Sequence, residues 1–219
     1  MNQGKLITFE GIEGSGKTTQ MDRLCGLLEN QGCRIQRFRE PGGTALGERI
    51  RDLLLAPDAE VERLTELLLF QAARRQLVST RLEPALAEGC VVLLDRFYDA
   101  TMAYQGYGRG IPLDLIRQMT RVACGKLVPD LTILLDVDPK QGLNRCLLRE
   151  GREYAGADRI ESSGLDFLER VRCGYLELAA QEPDRFVVVR VTENIEKTFL
   201  QVVHSLQVRK VLPIDIRKS

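Results

Sequence analysis

Residues Gly11 to Thr18 read G-x-x-x-x-G-K-[ST] without a mismatch. They stand between a short apolar run, Leu6-Ile7-Thr8-Phe9, and a segment with Leu24, Leu27 and Leu28 at helical spacing. A strand, a glycine-rich turn and a helix in that order leave few folds open, because the turn belongs at the C-terminal edge of a parallel sheet. Backbone N–H groups can converge on phosphate oxygens only where side chains do not block them. Gly11, Gly14 and Gly16 remove those side chains and allow positive φ. The opening of the helix adds the partial positive charge of its N-terminus. Gly11, Ile12, Glu13, Gly14, Ser15, Gly16, Lys17, Thr18 and Thr19 are therefore the candidate triphosphate-binding residues. Lys17 has the reach for the β- and γ-phosphates, and the Thr18 hydroxyl is a candidate ligand for Mg²⁺.

The rest of the chain repeats the alternation of short apolar runs with longer helical patterns. Strands are expected at Leu6–Glu10, Cys33–Phe38, Cys90–Asp95, Leu131–Val137 and Phe186–Val191. Helices are expected at Thr18–Asn30, Ala45–Leu55, Arg63–Ser79 (restarting near Pro84), Leu113–Cys124, Pro139 to about Leu148, Ser163–Gln181 and Glu193–Gln207. The fold class is thus α/β, a P-loop three-layer sandwich with a five-stranded parallel sheet flanked by helices. Its 219 residues suit one domain spanning 1–219. Lysine plus arginine balance aspartate plus glutamate at 31 each. That balance argues against a nonspecific nucleic-acid binder, so phosphate recognition must be local. No apolar run approaches the ~18 residues of a membrane span and no signal-peptide pattern opens the chain, so the expected location is the cytoplasm. Six cysteines without a C-x-x-C pair read as structural thiols, and the single His204 as a surface or packed side chain.

Several residues outside the loop can carry chemistry. Asp95 ends an apolar strand beside the loop, where it can hold Mg²⁺ directly or through water, and Arg96 follows it. Arg39-Glu40-Pro41-Gly42-Gly43-Thr44 follows the second strand; Arg39 either forks onto a phosphate or is a solvated charge on a Pro-Gly turn. Phe70 and Arg74 share a helix face, but local evidence alone reads Phe70 as core and Arg74-Arg75 as a solvated face. Tyr104-Gln105-Gly106-Tyr107-Gly108-Arg109-Gly110 is open to a ligand-contact or a structural reading. The charged segment from Arg149 to Arg159 reads by composition as a solvated loop; the functional reading is a lid, about 149–160, that carries arginines onto phosphates. No Asn-Lys-x-Asp motif occurs, which speaks against a regulatory GTPase.

Taken in order, these segments resemble the bacterial thymidylate kinases. The matching runs are Phe9 to Thr19, Arg39 to Thr44, Phe70-Gln71-Ala72-Ala73-Arg74, Asp95-Arg96-Phe97, Ala103-Tyr104-Gln105-Gly106, Asp158-Arg159-Ile160-Glu161 and Tyr175 to Ala179. The resemblance implies γ-phosphoryl transfer from ATP, with Mg²⁺, to dTMP, giving dTDP, in a homodimer. It implies that Phe70 stacks on thymine, Arg74 bonds the O4 edge, and Arg39 and Arg96 grip the monophosphate. Thr101 and Gln105 join that site, Tyr104 disfavours a ribose, and Glu13 approaches the 3′-hydroxyl. Ala100 stands where some relatives carry Ser. The P-loop holds no basic residue before Lys17, so the resemblance is to the type with its catalytic arginine in the lid: Lys17, Arg96, Arg149 and Arg152 are the implied catalytic set. The family pattern also suggests a cis Glu40–Pro41 bond, which sequence does not decide.

Overall fold

The computed structural model describes residues 4–56, 59–150 and 164–212. Five strands, β1 (Lys5–Glu10), β2 (Ile35–Arg39), β3 (Val91–Asp95), β4 (Leu131–Asp136) and β5 (Phe186–Arg190), form one sheet in the order β2-β3-β1-β4-β5. Every pairing is parallel, with Phe9 opposite both Asp95 and Ile133. Parallel strands need crossovers, and the crossovers bring helices onto the faces. The central strands are accordingly buried along nearly their whole length rather than on alternate residues.

Alternate residues face different layers. Ile7, Phe9, Val91, Leu93, Ile133 and Leu135 pack on α1 (Lys17–Asn30) and α9 (Ile195–Val208). On the other face, Leu6, Val92 and Leu94 meet Leu77 of α3 (Arg63–Leu77), Ala85 of α4 (Glu83–Ala87) and Ala123 of α6 (Leu113–Cys124). Leu134 on that same face meets α8 (Leu165–Gln181). The sequence-expected three-layer sandwich is therefore present. α2 (Ala45–Leu55) packs on α3 through Ile50, Leu54 and Ala73, and α7 (Pro139–Glu150) follows β4.

Two stretches depart from the expected elements. The helix expected over Arg63–Ser79 ends as a regular helix at Leu77, widens into π-type turns over Val78–Leu82 and continues as α4. The glycine-containing stretch after Asp95 is helical: α5 (Tyr98–Thr101) runs directly into π-type turns over Met102–Gly108. Such wide turns inside helices are often found at functional sites. Elsewhere the expected ends move by a residue or two. β2, for example, begins at Ile35, because the Cys33 amide closes the end of α1 on the Leu28 carbonyl.

Candidate active site

β1 ends at Glu10, and the chain turns through Gly11 (φ 137°), Gly14 (φ 69°) and Gly16 (φ 86°) into α1. The positive φ expected at all three glycines is present. Gly11 also has no room for a side chain, since a Cβ there would stand 2.5 Å from the Leu135 carbonyl oxygen. Gly16 caps α1 without a side-chain hydrogen bond, and a Cβ on it would meet nothing within 4 Å, so the helix N-terminus opens on a cleft. Inside the loop Lys17 Nζ donates to the Gly11 and Ile12 carbonyls, both at 3.0 Å, and to Ser15 Oγ at 3.4 Å. Burial, with Arg96 adding, pulls the Lys17 ammonium down to about 8.

The cleft is about 580 Å³ and runs from the loop to the C-terminal ends of β2 and β3. Asp95 ends β3 at its floor, and Thr18 Oγ1 donates to Asp95 Oδ2 at 3.4 Å. Next to it Arg96 holds a backbone φ of 67°, unusual for a residue with a side chain and of the kind found where a site over-determines it. Arg96 Nη2 donates to Glu13 Oε1 at 2.6 Å, and Nη1 to the Gly11 carbonyl at 3.0 Å and to the Tyr175 hydroxyl at 3.3 Å. Its guanidinium lies 4.9 Å from the centre of the Tyr104 ring. The Tyr104 hydroxyl in turn donates to the Glu13 carboxylate, 2.8 Å from Oε2.

At the far end stand Phe70 and Arg74, one turn apart on α3 and both lining the cleft. Local sequence puts Arg74 on a solvated face; the structure corrects this, for it is 1% exposed and among the largest fully buried side chains. Its Nε donates to Glu40 Oε2 at 2.8 Å, Nη1 to Gln71 Oε1 at 3.3 Å, and Nη2 to Thr101 Oγ1 at 2.9 Å and the Phe97 carbonyl at 3.2 Å. Glu40 precedes a cis peptide bond to Pro41, and its other oxygen, Oε1, is buried with no hydrogen-bond partner among the described residues. Burial raises the Glu40 carboxyl above its ordinary range, against the pull of Arg74. Gln105 Nε2 donates to Glu66 Oε1 at 2.8 Å, which fixes the amide at the cleft wall. Arg39 pairs with Glu48 at 2.8 Å near the surface.

Lys17, Thr18, Arg39, Phe70, Arg74, Asp95, Arg96, Thr101, Tyr104, Gln105 and Glu13 thus share one cleft. Gly11 and Ile12 sit behind it, offering their carbonyls to Lys17. Arg149 belongs to the last turn of α7, while Arg152, Arg159 and the rest of the expected lid lie outside the described residues. Sequence reasoning missed four groups. Arg145 of α7 lines the cleft within 3.5 Å of the Gly14 and Thr192 carbonyls. Arg51 of α2 lines it too and donates to the Pro41 carbonyl at 3.0 Å. Gln20 donates to the Ile195 carbonyl at 3.2 Å beside that wall. Glu10 lies beneath Arg96, fully buried. Burial raises its carboxyl above the usual carboxylate range, and the charge of Asp99 adds to this. Arg145 and Arg51 resemble ordinary helix-surface arginines in sequence, and only the packing of α7 and α2 brings them here.

A cleft with a phosphate-cradling loop at one end and an aromatic ring beside a buried arginine at the other suits two nucleotides end to end. Comparison with known proteins agrees. The model of the thymidylate kinase family matches residues 9–202. The thymidylate kinase of Deinococcus radiodurans is 50% identical over 192 residues, covering 88% of this chain and 91% of the relative. That of Pelotomaculum thermopropionicum is 46% identical over 206 residues, 94% of each chain. The crystal structure of thymidylate kinase from Ehrlichia chaffeensis superposes with a TM-score of 0.75 at 35% identity, covering 94% of this chain and 99% of that one. With sequence, fold and cleft in agreement over nearly its whole length, the chain belongs to the thymidylate kinase family.

Proposed function

We propose that this cleft transfers the γ-phosphoryl group of ATP to dTMP, giving dTDP, and that its residues divide the work as follows. The loop from Gly11 to Thr19 and the N-terminus of α1 bind the triphosphate. Lys17 exchanges the Gly11 and Ile12 carbonyls for β- and γ-phosphate oxygens. Arg96 and Arg39 hold the monophosphate, each leaving a carboxylate it now pairs with. Phe70 stacks on thymine, Arg74 donates to O4, and Thr101 and Gln105 complete the base pocket. The Tyr104 ring, packed edge-on against Phe167 and Tyr175, closes the space a 2′-hydroxyl would need, and Glu13 faces the 3′-hydroxyl. The observation that carries this reading is the continuity of the cleft from the P-loop to the Phe70–Arg74 end.

The acceptor is already a phosphate anion, so positioning and charge compensation carry the catalysis. Two anionic substrates meet among Lys17, Arg96 and an arginine from the end of α7 or just after it, Arg149 or Arg152. Exclusion of water from the cleft strengthens these interactions. The Thr18 hydroxyl and Asp95 carboxylate, 3.4 Å apart, are a sparse, all-oxygen set. That suits Mg²⁺ arriving with the nucleotide, since this ion keeps most of its ligands as water and phosphate oxygen. When bound, it neutralises charge on the β- and γ-phosphates.

The enzyme acts as a homodimer in the cytoplasm. Exposed Leu64 and Leu68 on α3, beside exposed Leu115 and Val122 on α6, support an apolar face for a second copy. None of the six cysteines, all among the described residues, is in a disulfide, which fits a reducing compartment. No helix among the described residues is long and apolar enough to cross a membrane. A coupled assay of ADP release against a panel of nucleoside monophosphates tests the function. The expected result is preference for dTMP, with turnover abolished in Lys17→Ala. Brisk phosphorylation of another acceptor with dTMP ignored, or near-wild-type activity in Lys17→Ala, refutes it.

A further inference from the structure

Glu10 does not line the cleft, yet two donors beside Arg96 end on it. Its Oε1 accepts the Phe97 amide at 2.7 Å, and its Oε2 accepts the Tyr175 hydroxyl at 2.7 Å. The Phe97 amide is the one that follows Arg96 at φ 67°, and the Arg96 amide itself donates to the Phe9 carbonyl at 3.0 Å. Phe97 is the residue before the first turn of α5, and its amide is held by Glu10 where the chain leaves the Arg96 turn for the helix. The Tyr175 hydroxyl, held by Glu10, receives Arg96 Nη1 at 3.3 Å. The end of β1 therefore grips Arg96 twice, through the backbone by way of Phe97 and through the guanidinium by way of Tyr175.

These hydrogen bonds have one direction. A guanidinium has no acceptor, so Arg96 donates to the phenol oxygen. The phenol has a single proton, which goes to Glu10. The amide also donates. With Glu10 ionised, both of its oxygens accept and close the chain Arg96→Tyr175→Glu10←Phe97, and the Arg96 charge and these two hydrogen bonds oppose the burial that raises its carboxyl. We infer that Glu10 is the positioning residue for Arg96: its carboxylate sets the strained Arg96–Phe97 turn and the polarity of the Tyr175 hydroxyl, and so aims the guanidinium at the acceptor phosphate. The inference rests on the monophosphate-binding role proposed above for Arg96.

Glutamine has the shape of Glu10 and can still accept the Phe97 amide, but its NH₂ donates where Tyr175 must donate. The test compares Glu10→Gln, Tyr175→Phe, the double variant and Arg96→Ala, measuring melting temperature, kcat and the KM of each substrate. Glu10→Gln is expected to stay within about 5 °C of wild type and within about threefold in KM for ATP. Its kcat/KM for dTMP should fall ~10–100-fold, the scale of a lost supporting hydrogen bond that orients a functional group. Tyr175→Phe should show a smaller loss in the same parameter. The double variant should be no worse than Glu10→Gln, because both changes break one chain. A merely structural Glu10 would lower the melting temperature and leave kcat and both KM values of the folded enzyme unchanged, which overturns the inference, as does full additivity in the double variant. If Glu10→Gln does not fold, Tyr175→Phe decides alone: wild-type kinetics with dTMP overturn the inference. Arg96→Ala separates the two readings. Wild-type use of dTMP there removes the role of Arg96 itself, whereas an inactive Arg96→Ala beside a fully active Glu10→Gln removes only that of Glu10.

Discussion

Removing the carboxylate of Glu40 should strip this fold of much of its stability and blunt its reading of the base. The Arg74 and Glu40 side chains are 1% and 4% exposed, so solvent screens their attraction very little. In Glu40→Ala the guanidinium stays where it is, because Gln71, Thr101 and the Phe97 carbonyl still hold it, but all three are neutral acceptors. An uncompensated buried charge left by deleting one partner costs about 3–5 kcal/mol. For a chain of this size each kcal/mol lowers the melting temperature by about 2–4 °C, so a fall of roughly 6–20 °C is expected. Glu40→Gln keeps an acceptor for Arg74 Nε and loses only the charge; ~1.5–3 kcal/mol is the expected scale. Both variants should raise KM for dTMP more than KM for ATP, since Arg74 loses the group that fixes its direction. Differential scanning calorimetry gives the first quantity and a coupled ADP-release assay the second. A loss in Glu40→Ala below about 1 kcal/mol, with KM for dTMP unchanged, would show that the pair neither stabilises the fold nor orients Arg74.

Other outcomes follow from the same geometry. Lys17 sits near 8 in the free loop, and bound phosphate should lift it, so ATP binding at pH 8 should take up about half a proton; calorimetry in buffers of different ionisation enthalpy reads this, and zero uptake refutes it. From the same sign, ATP affinity should weaken as pH rises above 8, because binding must then supply the proton. Phe70→Ala should raise KM for dTMP well above its effect on ATP; equal effects would count against stacking. Asp95→Asn should move the Mg²⁺ titration of activity to roughly tenfold higher concentration without moving the melting temperature downward, and an unchanged titration would free Asp95 of that role. Arg149→Ala or Arg152→Ala should lower kcat by up to about 10³ with little change in binding, as for other arginines that act on a transferring phosphoryl group; wild-type kcat in both would place that charge elsewhere.

Much of the scaffold was legible because period and punctuation agree along the chain. α6 spans Leu113–Cys124 as expected, and Gly125 follows at φ 61° where the helix stops. The helical stretch 98–108 was not legible, since glycines at 106 and 108 interrupt the helical pattern and leave the stretch without an assigned element. They serve close packing instead: a Cβ on Gly108 would stand 2.6 Å from the Phe167 ring, and one on Gly106 would collide with Leu113. Nor does local sequence reveal the burial of Arg74, whose counter-charge lies 34 residues away on a different element. Arg145 was hidden for a similar reason. α7 approaches the P-loop at Gly142, whose carbonyl a side chain on Gly14 would strike, and only that approach turns a helix-surface arginine toward the cleft.

The cations of the cleft fall into two kinds, and burial decides which is which. Arg39 and Glu48 are 55% and 42% exposed, and an ion pair of that kind is worth ~0–1 kcal/mol, so a phosphate can displace Glu48 at little cost. Arg96 and Glu13 are 17% and 14% exposed, an intermediate case in which the carboxylate it releases can turn to a substrate hydroxyl. Arg74 cannot leave Glu40 without stranding a buried charge, so it must read its ligand while remaining paired. That arrangement suits a neutral carbonyl such as thymine O4 and not a phosphate, which would bring a second negative charge beside Glu40. The same argument supports the orientation proposed for the substrate, with the phosphate at the Arg39–Arg96 end, where cations can change partners, and the base at the Arg74 end, where they cannot.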